Sequence, residues 1–306
     1  MSLLINIPNR NVDSLVAKLE QHIPTSQIQV WPNITSPESI KFALVWKHQP
    51  GSLSDLSNLK GISSFGAGVD SILSDSELPE VPIARIVDED LALNMTNYVV
   101  TLINSHRLRL DMFAKQQTMA MWKPRGLRKG KTVGVLGLGQ LGQAVCHTLS
   151  NCGFTVTGWS NSIKEIPGVD SVTGLVGFDK VIAESDYLVC LLPLTASTKG
   201  IINRHVLHKM KTDAVLINVA RGGHVVEQDL IEALYDKEIA AAYLDVFDIE
   251  PLPETHPYWR TPNLTITPHI SAVTNINTAV DQIVANYNRV MSGQLMTNTI
   301  DKNRGY

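Results

Sequence analysis

Four residue groups in this chain have the types and spacing to do chemistry. Gly137-Leu138-Gly139-Gln140-Leu141-Gly142 falls in the pattern G-x-G-x-x-G. The β-branched and apolar run Thr132 to Leu136 before it predicts a buried strand, and the pattern from about Gln140 to Ser150 predicts a helix. In that setting the first glycine allows a tight turn. The second lets backbone approach a pyrophosphate, and the third lets helix and strand pack closely. The helix offers free N–H groups and a positive dipole end to phosphate. Gly137, Leu138, Gly139, Gln140 and Leu141 are therefore expected to contact a dinucleotide; the plainer alternative is a glycine turn that only packs.

The other three groups are single residues, each just beyond a predicted strand. Arg221 follows Ile217-Asn218-Val219-Ala220, Glu250 follows Asp245-Val246-Phe247-Asp248-Ile249, and His269 follows Thr265-Ile266-Thr267-Pro268. Open α/β sheets place ligands at the carboxyl ends of their strands. Singly, each residue has a dull explanation as a surface or loop residue. Beside a nicotinamide they make a hydride-transfer set. Reducing a carbonyl needs a hydride on carbon and a proton on oxygen. His269 is the candidate acid, and Glu250 orients it and favours its charged form. Arg221 has a planar fork for a carboxylate and a carbonyl oxygen.

The strand after the glycine turn, Phe154 to Gly158, leads into Trp159-Ser160-Asn161-Ser162-Ile163-Lys164. A carboxylate here would grip the ribose 2′-hydroxyl of NAD and repel a 2′-phosphate. None occurs between Ser150 and Lys164. Trp159, Ser160, Asn161, Ser162 and Lys164 are thus expected to hold NADP(H) in preference to NAD(H), with NAD(H) still possible.

These groups need a scaffold. Short apolar strands are predicted at Leu3 to Ile7, Gln27 to Trp31, Phe42 to Trp46, Ile62 to Phe65 and Pro82 to Ile86, with a helix over Asn11 to Gln21 capped by Asn11 or Asp13. Strands alternating with helices mean a parallel sheet in a first α/β domain. In Ser64-Phe65-Gly66-Ala67-Gly68-Val69-Asp70, the N–H groups of Ala67 and Gly68 suit a carboxylate, or the glycines simply turn the chain. Trp46 and Trp122 could wall a small pocket, although core packing is the commoner role. Asp90 to Met119 reads as one long helical pattern or two helices. Beyond the glycine turn come strands at Tyr187 to Leu192, Ala214 to Asn218, Ile239 to Leu244 and Leu264 to Thr267. Helices near Asn203 to Met210 and Glu227 to Asp236 lie among them, and a last helix covers Val273 to Ser292. The expected fold is α/β, with two doubly wound parallel-sheet domains. Residues 99–274 form a dinucleotide-binding domain inserted in a substrate domain of residues 1–98 and 275–306.

Several motifs together carry a resemblance. Asn218-Val219-Ala220-Arg221-Gly222, Asp245-Val246-Phe247 through Glu250-Pro251-Leu252, and Thr267-Pro268-His269 resemble the signature of D-isomer-specific 2-hydroxyacid dehydrogenases. So do the glycine turn, Leu192-Pro193-Leu194-Thr195 and Thr198-Lys199-Gly200-Ile201-Ile202-Asn203. Within that family, Val45-Trp46, Gly66-Ala67-Gly68-Val69-Asp70-Ser71-Ile72-Leu73 and Arg304-Gly305-Tyr306 are similar to the bacterial glyoxylate/hydroxypyruvate reductases. The resemblance implies a Rossmann domain in a flavodoxin-like one, reduction of a short 2-keto acid, and a homodimer built around the helix after Asp90. It implies cofactor contacts at Leu192, Pro193, Thr198, Val219, Ala220, Arg221, Asp245 and His269, with the nicotinamide near Val219, Ala220 and Asp245. It implies substrate contacts at Trp46, Ala67, Gly68, Trp122 and Arg221, and closure of the two domains over the substrate. Asn161 departs from the reductases, which carry arginine after the Trp-Ser pair. A dehydrogenase for another 2-hydroxy acid, or a nucleotide-sensing protein of the same fold, remains the alternative.

Composition narrows the classes. The 306 residues are 44% hydrophobic and 18% charged, with a formal net charge of −3. That gives no electrostatic case for nucleic acid or an acidic membrane. There is no apolar run of membrane-spanning length, so the expected location is cytoplasmic. Cys146, Cys152 and Cys190 form no C-x-x-C pair and are expected to be small buried hydrophobes. His205 and His208 lack a nearby third ligand, so no metal is expected. In cofactor titration NADPH should bind more tightly than NADH; the reverse order would remove the 2′-phosphate reading.

Overall fold

A computed structural model describes residues 1–302; the Arg304-Gly305-Tyr306 segment noted above lies outside the described residues. The chain divides into two compact units, Met1–Leu91 with the segment from Thr274, and Ala92–Val273.

The first unit is built on β1 (Ser2–Asn6), β2 (Ile28–Val30), β3 (Ile40–Val45), β4 (Gly61–Ser64) and β5 (Ile83–Ala84). All are parallel, in the order β2-β1-β3-β4-β5. This is the flavodoxin-like doubly wound order. Leu4, Ala43, Val45, Ile62 and Ile83 turn one face into a core with Leu53, Leu56 and Ile72. Buried on both faces, these strands read as nearly unbroken apolar runs. Helix α1 (Asp13–Leu19) has Val12 at its N-cap, not Asn11 or Asp13. The Asn11 side chain instead accepts the Asp13 N–H at 2.8 Å, a local turn that precedes the helix. A short α2 (Asp70–Leu73) follows the Gly66–Gly68 loop.

The long helical pattern resolves into α3 (Glu89–Arg107) and α4 (Leu110–Thr118). The break is at Arg109, whose φ of +59° is left-handed and cannot continue a helix.

The second unit holds β6 (Thr132–Leu136), α5 (Gln140–Asn151), β7 (Thr155–Trp159), β8 (Val169–Val172), α6 (Gly174–Glu184), β9 (Tyr187–Cys190), α7 (Arg204–Lys209), β10 (Val215–Asn218), α8 (Glu227–Tyr235), β11 (Ala241–Leu244) and β12 (Leu264–Ile266). Its seven parallel strands run in the order β12-β11-β10-β9-β6-β7-β8. The order reverses at β6, the position where doubly wound sheets open a crevice. Alternate residues feed two cores. Val133, Val135, Val189 and Ile217 pack with α3 and α5 through Met95, Val99, Val145 and Cys146. Leu136, Leu188, Leu216 and Leu244 face Val181, Val206 and Leu230 on the other side. Helix α9 (Ile276–Met291) returns to the first unit, capped by the Asn275 side chain, with Tyr287 edge-on to Phe42.

Cys146 and Cys190 are buried, and burial pushes both thiols up to about 12. Cys152 corrects the sequence expectation: it is exposed, because it caps the end of α5 where the chain turns outward. No described helix is long and apolar enough to cross a membrane.

At the amino end of β6, the Asp186 carboxylate accepts the backbone N–H groups of Lys131 and Thr132 at 2.7 and 2.8 Å. The Lys211 ammonium meets it at 2.8 Å. Burial alone would raise its pKa, but Lys211 and the Thr132 and Lys131 donors outweigh that and hold it at about 2. A depressed carboxylate pKa stabilises the fold above the unfolded value of about 4. That contribution should be lost as pH falls from about 4 through 2. Asp186→Ala should cost about 2 kcal/mol in urea unfolding at pH 7, and should flatten this part of the acid profile.

Candidate active site

The glycine turn does what its spacing requires. Gly137 has φ +104°, and a Cβ there would stand 2.7 Å from the Leu191 carbonyl oxygen. A Cβ on Gly142 would stand 1.9 Å from the Gly137 carbonyl oxygen. A Cβ on Gly139 would meet nothing within 4 Å, so its backbone faces open space. Gly139 also caps α5 with no side-chain bond to the first helical N–H groups. Open backbone at an uncapped helix start fits a pyrophosphate. The Leu138 side chain is buried against Gly158, which leaves its main chain for contact, while Gln140 is exposed and Leu141 half-buried.

At the end of β7, Trp159 is committed to packing. Its indole N–H donates to the Gly174 carbonyl at 2.9 Å and its ring lies edge-on to Phe178. Ser160 Oγ donates to the Ser162 carbonyl at 2.7 Å, and the Lys164 N–H donates to Ser171 Oγ at 2.9 Å. Asn161 and Ser162 are exposed. The turn is thus shaped by its own hydroxyls and presents no carboxylate before Glu165.

The three polar residues lie on loops after β10, β11 and β12, which are neighbours in the sheet. His269 Nδ1 is 3.0 and 2.9 Å from the two Glu250 carboxylate oxygens. Glu250 also accepts the Phe247 N–H at 3.1 Å. The imidazole is therefore aimed by an acid, with Nε2 at its outer end. His269 has φ +55°, a left-handed conformation that histidine adopts at a cost. Asp245 holds it there. This carboxylate is fully buried and accepts Thr267 Oγ1 at 2.6 Å, the Ile270 N–H at 2.9 Å and the Ser271 N–H at 2.8 Å. The His269 N–H donates to the Asp245 carbonyl at 2.8 Å. Tyr98 completes the support with a short hydrogen bond to Thr267 Oγ1. Burial pushes the Tyr98 phenol up to about 12, so it stays neutral.

Arg221 is half-buried, with Nη1 donating to the Ala220 carbonyl at 2.6 Å. Asn218 fixes its backbone: its amide donates to the Arg221 carbonyl at 2.8 Å and accepts the Ala220 N–H at 3.2 Å. Val219 and Ala220 are buried beside it, as is Leu192 at the end of β9. Thr198 Oγ1 donates to the Pro193 carbonyl at 2.6 Å, folding the loop after β9.

In the first unit, a Cβ on Gly66 would lie 2.4 Å from the Trp46 ring, so glycine is what lets that indole cover the loop. Ser64 Oγ donates to the Gly68 carbonyl at 2.8 Å and accepts the Gly66 N–H. Among the described residues, the N–H groups of Ala67 and Gly68 donate to no backbone carbonyl. Trp122, between α4 and β6, is 96% exposed and stands in solvent. Sequence reading did not assign roles to Tyr98 or Thr267. Tyr98 looked like one more apolar residue of a helix, and Thr267 had only its place before Pro268-His269.

Residues 100–271 match the family model of the D-isomer specific 2-hydroxyacid dehydrogenase, NAD binding domain. The chain belongs to the D-isomer specific 2-hydroxyacid dehydrogenases. The dehydrogenase is 37% identical to glyoxylate/hydroxypyruvate reductase A of Yersinia enterocolitica and 38% identical to that of Serratia proteamaculans, over the whole of each chain. A Xanthobacter autotrophicus D-isomer specific 2-hydroxyacid dehydrogenase, solved with NADPH and MES, superposes with a TM-score of 0.92 at 35% identity, covering 100% of this chain and 99% of that one. An NADPH-dependent glyoxylate/hydroxypyruvate reductase of Sinorhizobium meliloti, solved with NADP and sulfate, also gives 0.92, at 31% identity over both whole chains. The dehydrogenase is thus an NAD(P)-dependent enzyme of 2-hydroxy and 2-keto acids. Gly142→Ala should force the turn's carbonyl aside, costing about 1–3 kcal/mol. NADPH affinity should fall at least tenfold in a fluorescence titration.

Proposed function

We propose that the enzyme reduces a short 2-keto acid, glyoxylate or hydroxypyruvate, to the 2-hydroxy acid with NADP(H). The observation that carries this reading is the His269–Glu250 pair, made between the loops after β11 and β12, beside the Arg221 loop of the same sheet. Bound NADPH supplies the hydride. Arg221 grips the substrate carboxylate and polarises the keto group through its fork of N–H donors. His269 gives a proton from Nε2 to the keto oxygen, while Glu250 at Nδ1 keeps the ring aimed. The Ala67 and Gly68 N–H groups take the substrate carboxylate, and Trp46 and Trp122 act as substrate contacts.

For the cofactor, Gly137, Leu138, Gly139, Gln140 and Leu141 hold the pyrophosphate. Trp159, Ser160, Asn161, Ser162 and Lys164 shape the 2′-phosphate end, and the S. meliloti and X. autotrophicus relatives with NADP or NADPH support that choice. Leu192, Pro193, Thr198, Val219 and Ala220 line the cofactor, and Arg221 and His269 border it. Asp245 would accept from the nicotinamide amide, since its oxygens each carry more than one acceptor lone pair. The working form is proposed to be a cytoplasmic homodimer. Exposed Leu108, Leu110, Met119, Met121 and Leu127, on and after α3 and α4, supply an apolar surface of the kind that subunit contacts cover.

NADPH oxidation with a panel of 2-keto acids tests the reading. Turnover should be fastest with glyoxylate or hydroxypyruvate. His269→Ala should lower kcat by about 10²–10⁴-fold. Arg221→Lys should raise KM for the keto acid, because an ammonium cannot reproduce the fork. If no keto acid is turned over while NADPH still binds, a nucleotide-sensing role replaces the enzyme.

A further inference from the structure

His224 is fully buried in the loop after β10, three residues beyond Arg221. Its Nδ1 is 3.1 Å from the Arg221 carbonyl oxygen, and its Nε2 is 3.2 Å from the Pro193 carbonyl oxygen. Both of these oxygens can only accept. A neutral imidazole donates from only one nitrogen, so the ring donates to one or the other carbonyl according to its tautomer, and to both only as the imidazolium; its two nitrogens face two different loops. A buried imidazole without such partners would be costly, and an apolar residue would serve a purely packed position better.

The two loops it joins carry different halves of the proposed chemistry. Pro193 and Thr198 lie on the loop assigned to the cofactor. Arg221 lies on the loop assigned to the substrate. Backbone bonds run beside the imidazole in the same direction: the Gly200 N–H donates to the Gly223 carbonyl at 2.7 Å, and the Ile202 N–H to the His224 carbonyl at 2.8 Å. Gly223 has no side chain, which lets Leu194 approach; a Cβ there would lie 3.2 Å from it. Each carbonyl also has other donors: Asn218 Nδ2 and the His224 backbone N–H on Arg221, and Thr198 Oγ1 on Pro193. Among the described residues, the imidazole is the side chain that reaches from one of these carbonyls to the other.

We propose that His224 is a positioning residue that braces the cofactor loop against the main chain of Arg221, so that cofactor binding and placement of the substrate guanidinium are coupled through one side chain. This rests on the reading of Arg221 and Pro193 given above. A shift at Pro193 on cofactor binding is passed through the ring to the Arg221 carbonyl. From there it sets the base from which the guanidinium extends.

The two contacts can be separated. In His224→Asn the side-chain amide lies where Nδ1 lies, and keeps a donor toward Arg221 alone. In His224→Gln the amide reaches further, and keeps a donor toward Pro193 alone. His224→Leu keeps volume and neither donor. Each variant is taken through thermal unfolding, NADPH titration by fluorescence, and steady-state kinetics with hydroxypyruvate. The Leu variant should raise both the NADPH Kd and the keto-acid KM by about tenfold, the scale of one lost buried hydrogen bond. The Asn variant should return KM toward the wild-type value while Kd stays weakened. The Gln variant should do the opposite. Wild-type constants in all three, or parallel changes of Kd and KM in Asn and Gln, would overturn the brace. If Leu does not fold, the Asn and Gln pair decides the matter. If the wild-type protein turns over no keto acid, the functional reading fails by itself. The NADPH affinities then still judge the brace, since Gln should bind like wild type and Asn should not.

Discussion

A single buried carboxylate governs the chemical end of the second unit. Asp245 closes β11 and accepts two backbone N–H groups and one hydroxyl from the segment 267–271. Those bonds hold His269 in a backbone conformation that few residues tolerate. An unpaired charge at that depth would be expensive, so the loop and the acid depend on each other. Glu250 acts on the imidazole only because Asp245 has already fixed where the imidazole is. Tyr98, reaching from α3 to Thr267, ties the same loop to a helix of the core.

The sheet explains why so few residues suffice. Parallel strands bring all their carboxyl ends to one edge, and short loops there need only a side chain or two each. The loops after β6, β9, β10, β11 and β12 each contribute to the proposed site, while the residues beneath them alternate between two apolar cores. Rigidity below and adaptability above is the usual division in such folds.

What could be read from the sequence follows the same division. Strands buried on both faces, such as β9 and β10, announce themselves as apolar runs, and the glycine turn carries its geometry in its spacing. Arg221, Glu250 and His269 were legible because each follows such a strand. Strand β8 was not legible: Val169-Asp170-Ser171-Val172 sits at the sheet edge with mixed polarity. Helix α6 was hidden by Leu175 and Val176, apolar residues on its exposed side that blur a helical period. Cys152 reads as buried from its residue type alone, although Gly153 after it, at φ +83°, marks the end of α5. The bonds from Asp245 to residues 267–271 and from His224 to Pro193 span more than twenty positions. Contacts of that kind leave no trace in local pattern.

Strand β6 has one further consequence. Its amino end is fastened by Asp186 and its carboxyl end opens into the glycine turn. Five residues separate the two by about 16 Å. That is roughly two Debye lengths at physiological salt. Salt screens only the exposed part of a charge placed at the fastening, so distance along the buried strand, more than the solvent, separates the two poles.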